Sequence, residues 1–356
     1  SVGFKEESHN ELPLAEKVAH LCGTEHHTQI LAGDLSELLP VVARHYGEPF
    51  ADPSAVPSFL VSRAAREHVT VAINGDGGDE LLGGYPRYAL SGAGLMAANT
   101  FGRLVSAVSV QSATDRLAGY SELFSRVFGR VTRDLLHPEL GSLTNSRHHW
   151  NDWQRQALLK QGSNPTLLPN WRHEWLARAR KHSRNPIDFM LFFDSQTHLP
   201  NDLLVKMDIA SMHCSLEARS PLLDHELVEF CASLPVSLKV HQGTGKYLLK
   251  QLAAKKFGSA FATRPKQGFG IPLTSWLKGP LREKMRSVLS DRQAMAPFQG
   301  SVVTATLNDF LAGVSTRDHA SRLWGLLMYG LWRQSEAIGA ATTPTGSSHP
   351  LVGSHL

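Results

Sequence analysis

The sequence has few cysteines, no long apolar run and, over one stretch, no acidic residue. Its 356 residues include three cysteines, Cys22, Cys214 and Cys231. They are far apart, lack metal-type spacing and follow no secretory signal, so we expect reduced thiols and a cytoplasmic location. No run of about 18 apolar residues occurs, which argues against a membrane-spanning helix.

Acidic residues are missing between Glu229 and Glu283, and this stretch carries nine cations. They are Lys239, Lys246, Lys250, Lys255, Lys256, Arg264, Lys266, Lys278 and Arg282. The net charge of the whole chain is only +4, which argues against a nucleic-acid or membrane partner. A solvated surface usually mixes charges of both signs, so this block suits a polyanion such as a triphosphate. A basic surface without a ligand is the alternative.

The amino-terminal part, residues 1–95, alternates between strand and helix signals. SVGF at the start and residues 26–31 are strand candidates, and Asn10 can cap a helix that Gly23 ends. Residues 69–73 form a β-branched run that is typical of a buried parallel strand. Strands separated by helices predict an α/β fold whose parallel sheet is covered on both faces.

Residues 96–335 are predicted to be mostly helical. Periodic apolar segments indicate helices at residues 187–199, 226–234, 247–257 and 319–332. Residues 336–356 hold little that could be buried, so we expect a disordered tail there.

The segment from Asn74 to Tyr88 follows the predicted strand at 69–73 and contains five glycines. It also holds three carboxylates, Asp76, Asp79 and Glu80. Ligands of open parallel sheets bind beyond the carboxyl ends of the strands, and clustered carboxylates suit a Mg²⁺ that bridges to phosphate. A glycine-rich turn that leads into a helix is the structural alternative.

Two further glycine-containing segments lie in the basic block. GTGK, which ends at Lys246, is followed by tyrosine and lacks the first glycine of a Walker loop, so it is not predicted to be one. RPKQGFG, residues 264–270, is predicted to be a flexible loop that carries Lys266 toward the acidic cluster.

Together these segments resemble the synthetase domain of glutamine-hydrolysing asparagine synthetases. The resemblance rests on NGDGGDELLGGYPRY, DLLVKMDIASMHCSLEARSPLLDHELVEF, GTGKYLLK and RPKQGFGIPLTSW, in that order, and on SVGF followed by CGTEHH. It covers about residues 1–335. It implies a parallel-sheet layer of the adenine nucleotide alpha-hydrolase type (ATP pyrophosphatase, Rossmann-like), followed by a mostly helical part.

The resemblance also implies roles for individual residues. Those expected at the nucleotide are Val2, Asn74, Gly75 and Lys246; Asp79 would bind the metal, and Asp76 and Lys266 would be catalytic. Asp76 is tied to formation of the β-aspartyl-adenylate, and Lys266 to charge on the α-phosphate and pyrophosphate. For Glu217, Arg219 and Asp224 a structural ion-pair role is expected.

The implied reaction uses ATP and Mg²⁺ to adenylate the side-chain carboxylate of aspartate. Glutamine-derived ammonia then gives asparagine, AMP and pyrophosphate. The family's amino-terminal glutaminase domain and SGGxDS loop are not in this sequence. We therefore expect this chain to be a carboxy-terminal fragment that is incomplete alone. The resemblance is also compatible with a homodimer. Two alternatives are a same-family amidotransferase acting on another carboxylate, such as a polysaccharide or peptide precursor, and a non-catalytic nucleotide-binding fragment.

Overall fold

The computed structural model describes residues 1–4, 10–30, 35–88, 150, 152–160, 171–183, 185–263, 270–314 and 316–342. The amino-terminal elements are β1 (Val2–Gly3), α1 (Leu12–Cys22), β2 (Gln29–Ile30), α2 (Leu35–His45), α3 (Ala55–Arg66), β3 (Val71–Ile73) and α4 (Gly78–Leu82). Within the described residues, no helix is both long and apolar enough to span a membrane.

The remaining elements are mainly helical. They are α5 (Asp152–Leu158), α6 (Trp171–His182), α7 (Pro186–Gln196), a π-helix (Leu199–Leu204), α8 (Val205–His213), β4 (Glu217–Arg219), a 3₁₀ turn (Pro221–Leu223), α9 (His225–Ser233), α10 (Val236–Lys239), α11 (Tyr247–Phe257), α12 (Ser259–Ala262), α13 (Leu273–Lys278), α14 (Arg282–Ser290), α15 (Gly300–Leu311) and α16 (Thr316–Thr342). The last helix extends past residue 336, where the tail was predicted to begin, and residues 343–356 lie outside the described residues.

Within the described residues, four strands form two parallel pairs. β1 pairs with β2, with Val2 opposite Gln29. β3 pairs with β4, with Ile73 opposite Arg219. Parallel strands among helices confirm the α/β class, whereas the finer assignment to the adenine nucleotide alpha-hydrolase type stays a prediction. β4 was not predicted, because Glu-Ala-Arg is short and polar and has no strand-like pattern.

The prediction that residues 69–73 form a buried strand is wrong in its burial. Val71 is 39% exposed and Ile73 is 76% exposed. A β-branched run predicts a strand, but its burial depends on what covers the strand. Within the described residues β3 is hydrogen-bonded to β4 alone.

The chain divides into two compact units. The first comprises Ser1–Ala32, Pro57–Gln156 and Gly162–Ile271, and the second comprises Gly33–Val56, Ala157–Gln161 and Pro272–Leu356. The boundary predicted near residue 95 stays a prediction, because residues 89–149 lie outside the described residues.

The first unit is organised around the short helix α4. Leu81 and Leu82 of α4 form an apolar cluster with Cys231 of α9. α4 also packs against α7, α10 and α11. A second cluster joins Tyr88 to apolar residues of α6 and α7. Because a five-residue helix is marginal by itself, tertiary packing is what holds α4 in place.

The second unit is built on the long helix α16, which packs against α2, α13, α14 and α15. Leu39 and Val42 of α2 lie on one apolar stripe and are fully buried. The indole nitrogen of Trp332 donates to the carbonyl of Gly47 at 3.1 Å, just after α2.

Candidate functional site

Asn74 lies at the carboxyl ends of β3 and β4 and connects the two strands. Its backbone nitrogen donates to the Arg219 carbonyl at 2.8 Å, and its side-chain oxygen accepts from the Ser220 hydroxyl at 2.6 Å. Its side-chain nitrogen donates to Asp76 Oδ2 at 2.8 Å. The carboxyl end of a parallel pair is where open α/β sheets bind ligands. Asn74 therefore fixes Asp76 at that edge.

A pocket of about 370 Å³ opens beside these residues. Its polar lining is Asn74, Asp76, Asp208 and Ser220. The π-helix supplies Leu204 to the apolar lining. Residues 199–204 in the π form are notable, because π-helical turns are rare and are found mostly at functional sites.

Asp76 carries an unfavourable charge in this position. Burial raises the pKa of its carboxyl, the cation of Lys206 counteracts that effect, and the negative charges of Glu80 and Asp79 raise the pKa further. A cation placed among these carboxylates would relieve the repulsion.

Asp79 and Lys246 form an ion pair, with 2.9 Å between Asp79 Oδ1 and Lys246 Nζ. We call it the enclosed ion pair, because glycines surround it. A Cβ at Gly84 would overlap Asp79 Oδ1 and Lys246 Cε, and a Cβ at Gly245 would overlap the Gly83 carbonyl. Lys246 itself has φ 54°, a left-handed backbone conformation that is uncommon for lysine. The backbone is thus shaped around this pair.

Glu80 is the third carboxylate of the acidic segment, and it points inward. It is 1% exposed, and its Oε1 accepts a hydrogen bond from the Tyr85 hydroxyl. Glu80 therefore does not face the pocket side of the acidic segment in the way that Asp76 does. The described residues contain no group of three or more His, Cys, Asp or Glu side chains arranged to hold one metal ion.

A magnesium ion nevertheless fits the donors that are present. Asp79 offers a carboxylate oxygen that already pairs with the ammonium of Lys246, and the pKa of Asp76 is raised by burial first and then by the negative charges of Glu80 and Asp79. Mg²⁺ is usually bound by one or two carboxylates, with phosphate oxygens and water completing its shell.

Two predicted site residues, Val2 and Lys266, are not connected to this edge by any hydrogen bond between described residues. Val2 is in β1, whose sheet is not hydrogen-bonded to the β3–β4 pair within the described residues. Lys266 lies in residues 264–269, outside the described residues. Gly75 stands between Asn74 and Asp76, and a Cβ there would meet no atom within 4 Å. Open space at Gly75 leaves room for a ligand.

The segment Glu217–Asp224 has two local roles. Arg219 Nε lies 2.6 Å from Glu217 Oε1 in an exposed ion pair, which contributes little stability. Asp224 caps α9 by accepting hydrogen bonds from the backbone nitrogens of Glu226 and Leu227. The expected ion-pair role is thus found for the first two residues, whereas Asp224 is a helix cap.

Sequence reasoning missed several residues around the site. Lys206, Ser220 and Asp194 are among them. Asp194 is fully buried and accepts hydrogen bonds from Arg87 and Tyr88. The available signal was a lone carboxylate within the apolar stretch FMLFFDS, since a charge at a buried helix position must have a partner.

Comparison with known proteins identifies relatives over nearly the whole sequence. The family model described as asparagine synthase matches residues 1–334. The chain is 27% identical over 356 residues to asparagine synthetase (glutamine-hydrolyzing) 1 of Bacillus subtilis (strain 168). It is 31% identical over 347 residues to the protein named "Putative asparagine synthetase (glutamine-hydrolyzing)" in Mycobacterium tuberculosis (strain ATCC 25618 / H37Rv).

Both alignments take in 93% of this chain, but 51% of the Bacillus subtilis protein and 50% of the Mycobacterium tuberculosis protein. The chain therefore spans about half the length of the curated relatives that it matches.

Proposed function

Because the chain belongs to the asparagine synthase family, we propose that it carries the ATP-dependent amide-forming site of a ligase. In the proposed reaction, an oxygen of the aspartate side-chain carboxylate attacks the α-phosphorus of ATP. The bond from that phosphorus to pyrophosphate breaks. Ammonia derived from glutamine then attacks the acyl carbon, and AMP leaves to give asparagine.

The observation that carries this proposal is the enclosed ion pair, whose member Asp79 acts through its charge on Asp76 in the pocket at the carboxyl ends of β3 and β4. The ammonium of Lys246, which pairs with Asp79 in a glycine-lined space, can pair with an incoming phosphate oxygen instead. Lys246 would bind the triphosphate. Asn74 and Gly75 would contact the nucleotide, and Asn74 would also keep Asp76 in place.

Asp79 and Asp76 are the residues that would hold Mg²⁺. When bound, Mg²⁺ neutralises charge on phosphate oxygens. Asp76 would lie next to the reacting carboxylate. Lys266 would offset the charge that develops on the α-phosphate and pyrophosphate. Adenylyl transfer is catalysed mainly by positioning and by charge stabilisation, which are the contributions that these side chains offer.

A second candidate is amidation of a carboxylate other than aspartate. The described residues that line the pocket include two carboxylates, Asp76 and Asp208, and among them there is no Lys, Arg or His. The α-carboxylate of free aspartate would need a cationic partner, whereas a substrate with a single carboxylate would not. This lining therefore favours a test that also includes carboxylates other than aspartate.

The test uses the full-length product of the reading frame that contains this sequence. The protein is incubated with α-labelled ATP, Mg²⁺ and ammonia, with or without aspartate, and the nucleotide product is identified. Aspartate-dependent AMP and pyrophosphate support the proposal, and ADP with phosphate would overturn it. AMP formation with another carboxylate but not with aspartate would establish the second candidate. A Lys246→Met variant run in parallel identifies turnover by a contaminating enzyme.

A further inference from the structure

We propose that Arg87 and Asp194 are positioning residues for the enclosed ion pair, and that they act through Tyr85 and Glu80. The inference rests on the proposed function for its catalytic consequence. The geometric part stands on contacts within the first unit, and it has a test that does not use activity.

The first link is the buried pair itself. Asp194 of α7 is fully buried, and its Oδ2 accepts hydrogen bonds from Arg87 Nη2 and from the Tyr88 hydroxyl. Burial lowers the pKa of the Arg87 guanidinium, but Asp194 together with Tyr88 and Tyr85 outweighs burial and holds that pKa above its ordinary value. Taking both charges out of water is costly, and an apolar pair of similar volume would often be as stable. A role in fixing geometry explains why the charges are used.

The second link runs from Arg87 to Tyr85. The guanidinium carbon of Arg87 lies 4.2 Å from the centroid of the Tyr85 ring and 5.1 Å from that of Tyr88. A planar guanidinium over an aromatic face is a favourable contact that lysine does not reproduce. Because Asp194 fixes the guanidinium, the guanidinium fixes the plane of the Tyr85 ring.

The third link runs from Tyr85 to α4. The Tyr85 hydroxyl donates to Glu80 Oε1, and burial and then the charge of Glu80 raise the pKa of Tyr85. The hydroxyl therefore stays protonated and keeps its role as donor. Holding Glu80 inside the unit fixes the rotation of the five-residue helix α4 about its axis. Consecutive residues of a helix point about 100° apart, so Asp79 is directed away from Glu80 and toward Lys246.

The same helix α7 carries a second ion pair, which provides a matched control. Asp188 Oδ1 lies 3.7 Å from the buried Lys239 Nζ and joins α7 to α10. If Arg87 and Asp194 served stability alone, disturbing either pair on α7 would have the same kind of effect. If they position α4, the two perturbations will differ in what happens at residues 78–85.

The first experiment is amide hydrogen exchange on the full-length protein. We expect exchange across residues 78–85 to be about tenfold faster in Arg87→Lys and Asp194→Asn, and unchanged in Asp188→Asn. Tyr85→Phe removes one hydroxyl only, and it replaces Asp194→Asn if that variant does not fold. Wild-type exchange at residues 78–85 in Arg87→Lys and Tyr85→Phe would overturn the proposal.

The second experiment measures turnover of the full-length protein. We expect kcat to fall by about 10- to 100-fold in Arg87→Lys, with KM for ATP within about twofold of wild type, because misplaced groups affect the reacting geometry first. Asp188→Asn should keep both constants within about twofold of wild type. An active wild type with unchanged kcat in Arg87→Lys would overturn the positioning role alone. A wild type that forms no AMP would overturn the proposed function, and hydrogen exchange would still decide the geometric part.

Discussion

Lys246 Nζ lies 2.9 Å from Asp79 Oδ1, and Gly84 provides the space in which these two side chains meet. The carboxylate and the ammonium come from separate sequence motifs, and each was expected to face a ligand of its own. The folded chain instead joins them in one neutral pair. A phosphate must therefore compete with Asp79 for Lys246, and a cation must compete with Lys246 for Asp79.

Removal of the Lys246 charge should weaken nucleotide binding. In Lys246→Met, we expect the affinity for MgATP to fall by about 1.5–3 kcal/mol, which is the range for a hydrogen bond to a charged group. Calorimetric titration of the full-length protein measures this. Lys255→Met, at an exposed position of α11, is the control and should bind as wild type does. Equal affinity in wild type and Lys246→Met would contradict the role of Lys246 at phosphate.

Two glycines beside the enclosed ion pair should respond differently to alanine. The Cβ of Gly84→Ala meets the ends of two side chains, which can move, so we expect weaker MgATP binding and little loss of stability. The Cβ of Gly245→Ala meets the backbone of Gly83, which cannot move easily, so we expect a loss of about 3 kcal/mol of unfolding free energy. Thermal unfolding and ligand titration separate the two effects. The prediction fails if both variants lose the same property.

The helices of this protein could be predicted well where their signal is local. The helix predicted at residues 247–257 is observed with those bounds. The burial of Val71 and Ile73 could not be predicted, because it depends on which elements cover β3. Periodicity reports the preference of a segment, whereas burial is a property of its neighbours.

Individual residues of the candidate site could be singled out from the sequence, but the contacts between them could not. Asp76 and Asp79 stood out as acids in a glycine-rich segment, and Lys246 stood out in a basic block. The pairing of Asp79 with Lys246 is a tertiary contact between distant segments, which no local pattern encodes. Arg87 lies within the quoted motif, yet its partner Asp194 lies in a helix without any recognisable motif.

The packing of α2 on α16 should dominate the stability of the second unit. Leu39 is fully buried, so Leu39→Ala should cost about 3 kcal/mol through lost burial and the cavity that remains. Val41 lies on the same helix and is 38% exposed, so Val41→Ala should cost about 0.5 kcal/mol. Urea unfolding, followed by fluorescence, compares the two variants. Similar losses would mean that α2 does not contribute its apolar stripe to the core.

Asp76 should lower the stability of the protein at neutral pH. Burial, together with the charges of Glu80 and Asp79 and against that of Lys206, raises its pKa above the ordinary 3.8. The folded state then binds the proton more tightly than the unfolded state, so this group's contribution to stability falls as pH rises from 3.8 through the folded pKa. Above that window the full cost is present, and below 3.8 it is absent.

Asp76→Asn should therefore melt at a higher temperature than wild type near pH 7, because an amide oxygen still accepts from Asn74 and carries no charge. The gain should shrink toward zero as the pH is lowered to about 4. Asp309→Asn, at an exposed position of α15, is the control and should show no such gain. Melting curves across this pH range provide the measurement, and an Asp76→Asn variant less stable than wild type at pH 7 would refute the argument. A gain in stability combined with a loss of turnover would mark Asp76 as a carboxylate retained for chemistry rather than for folding.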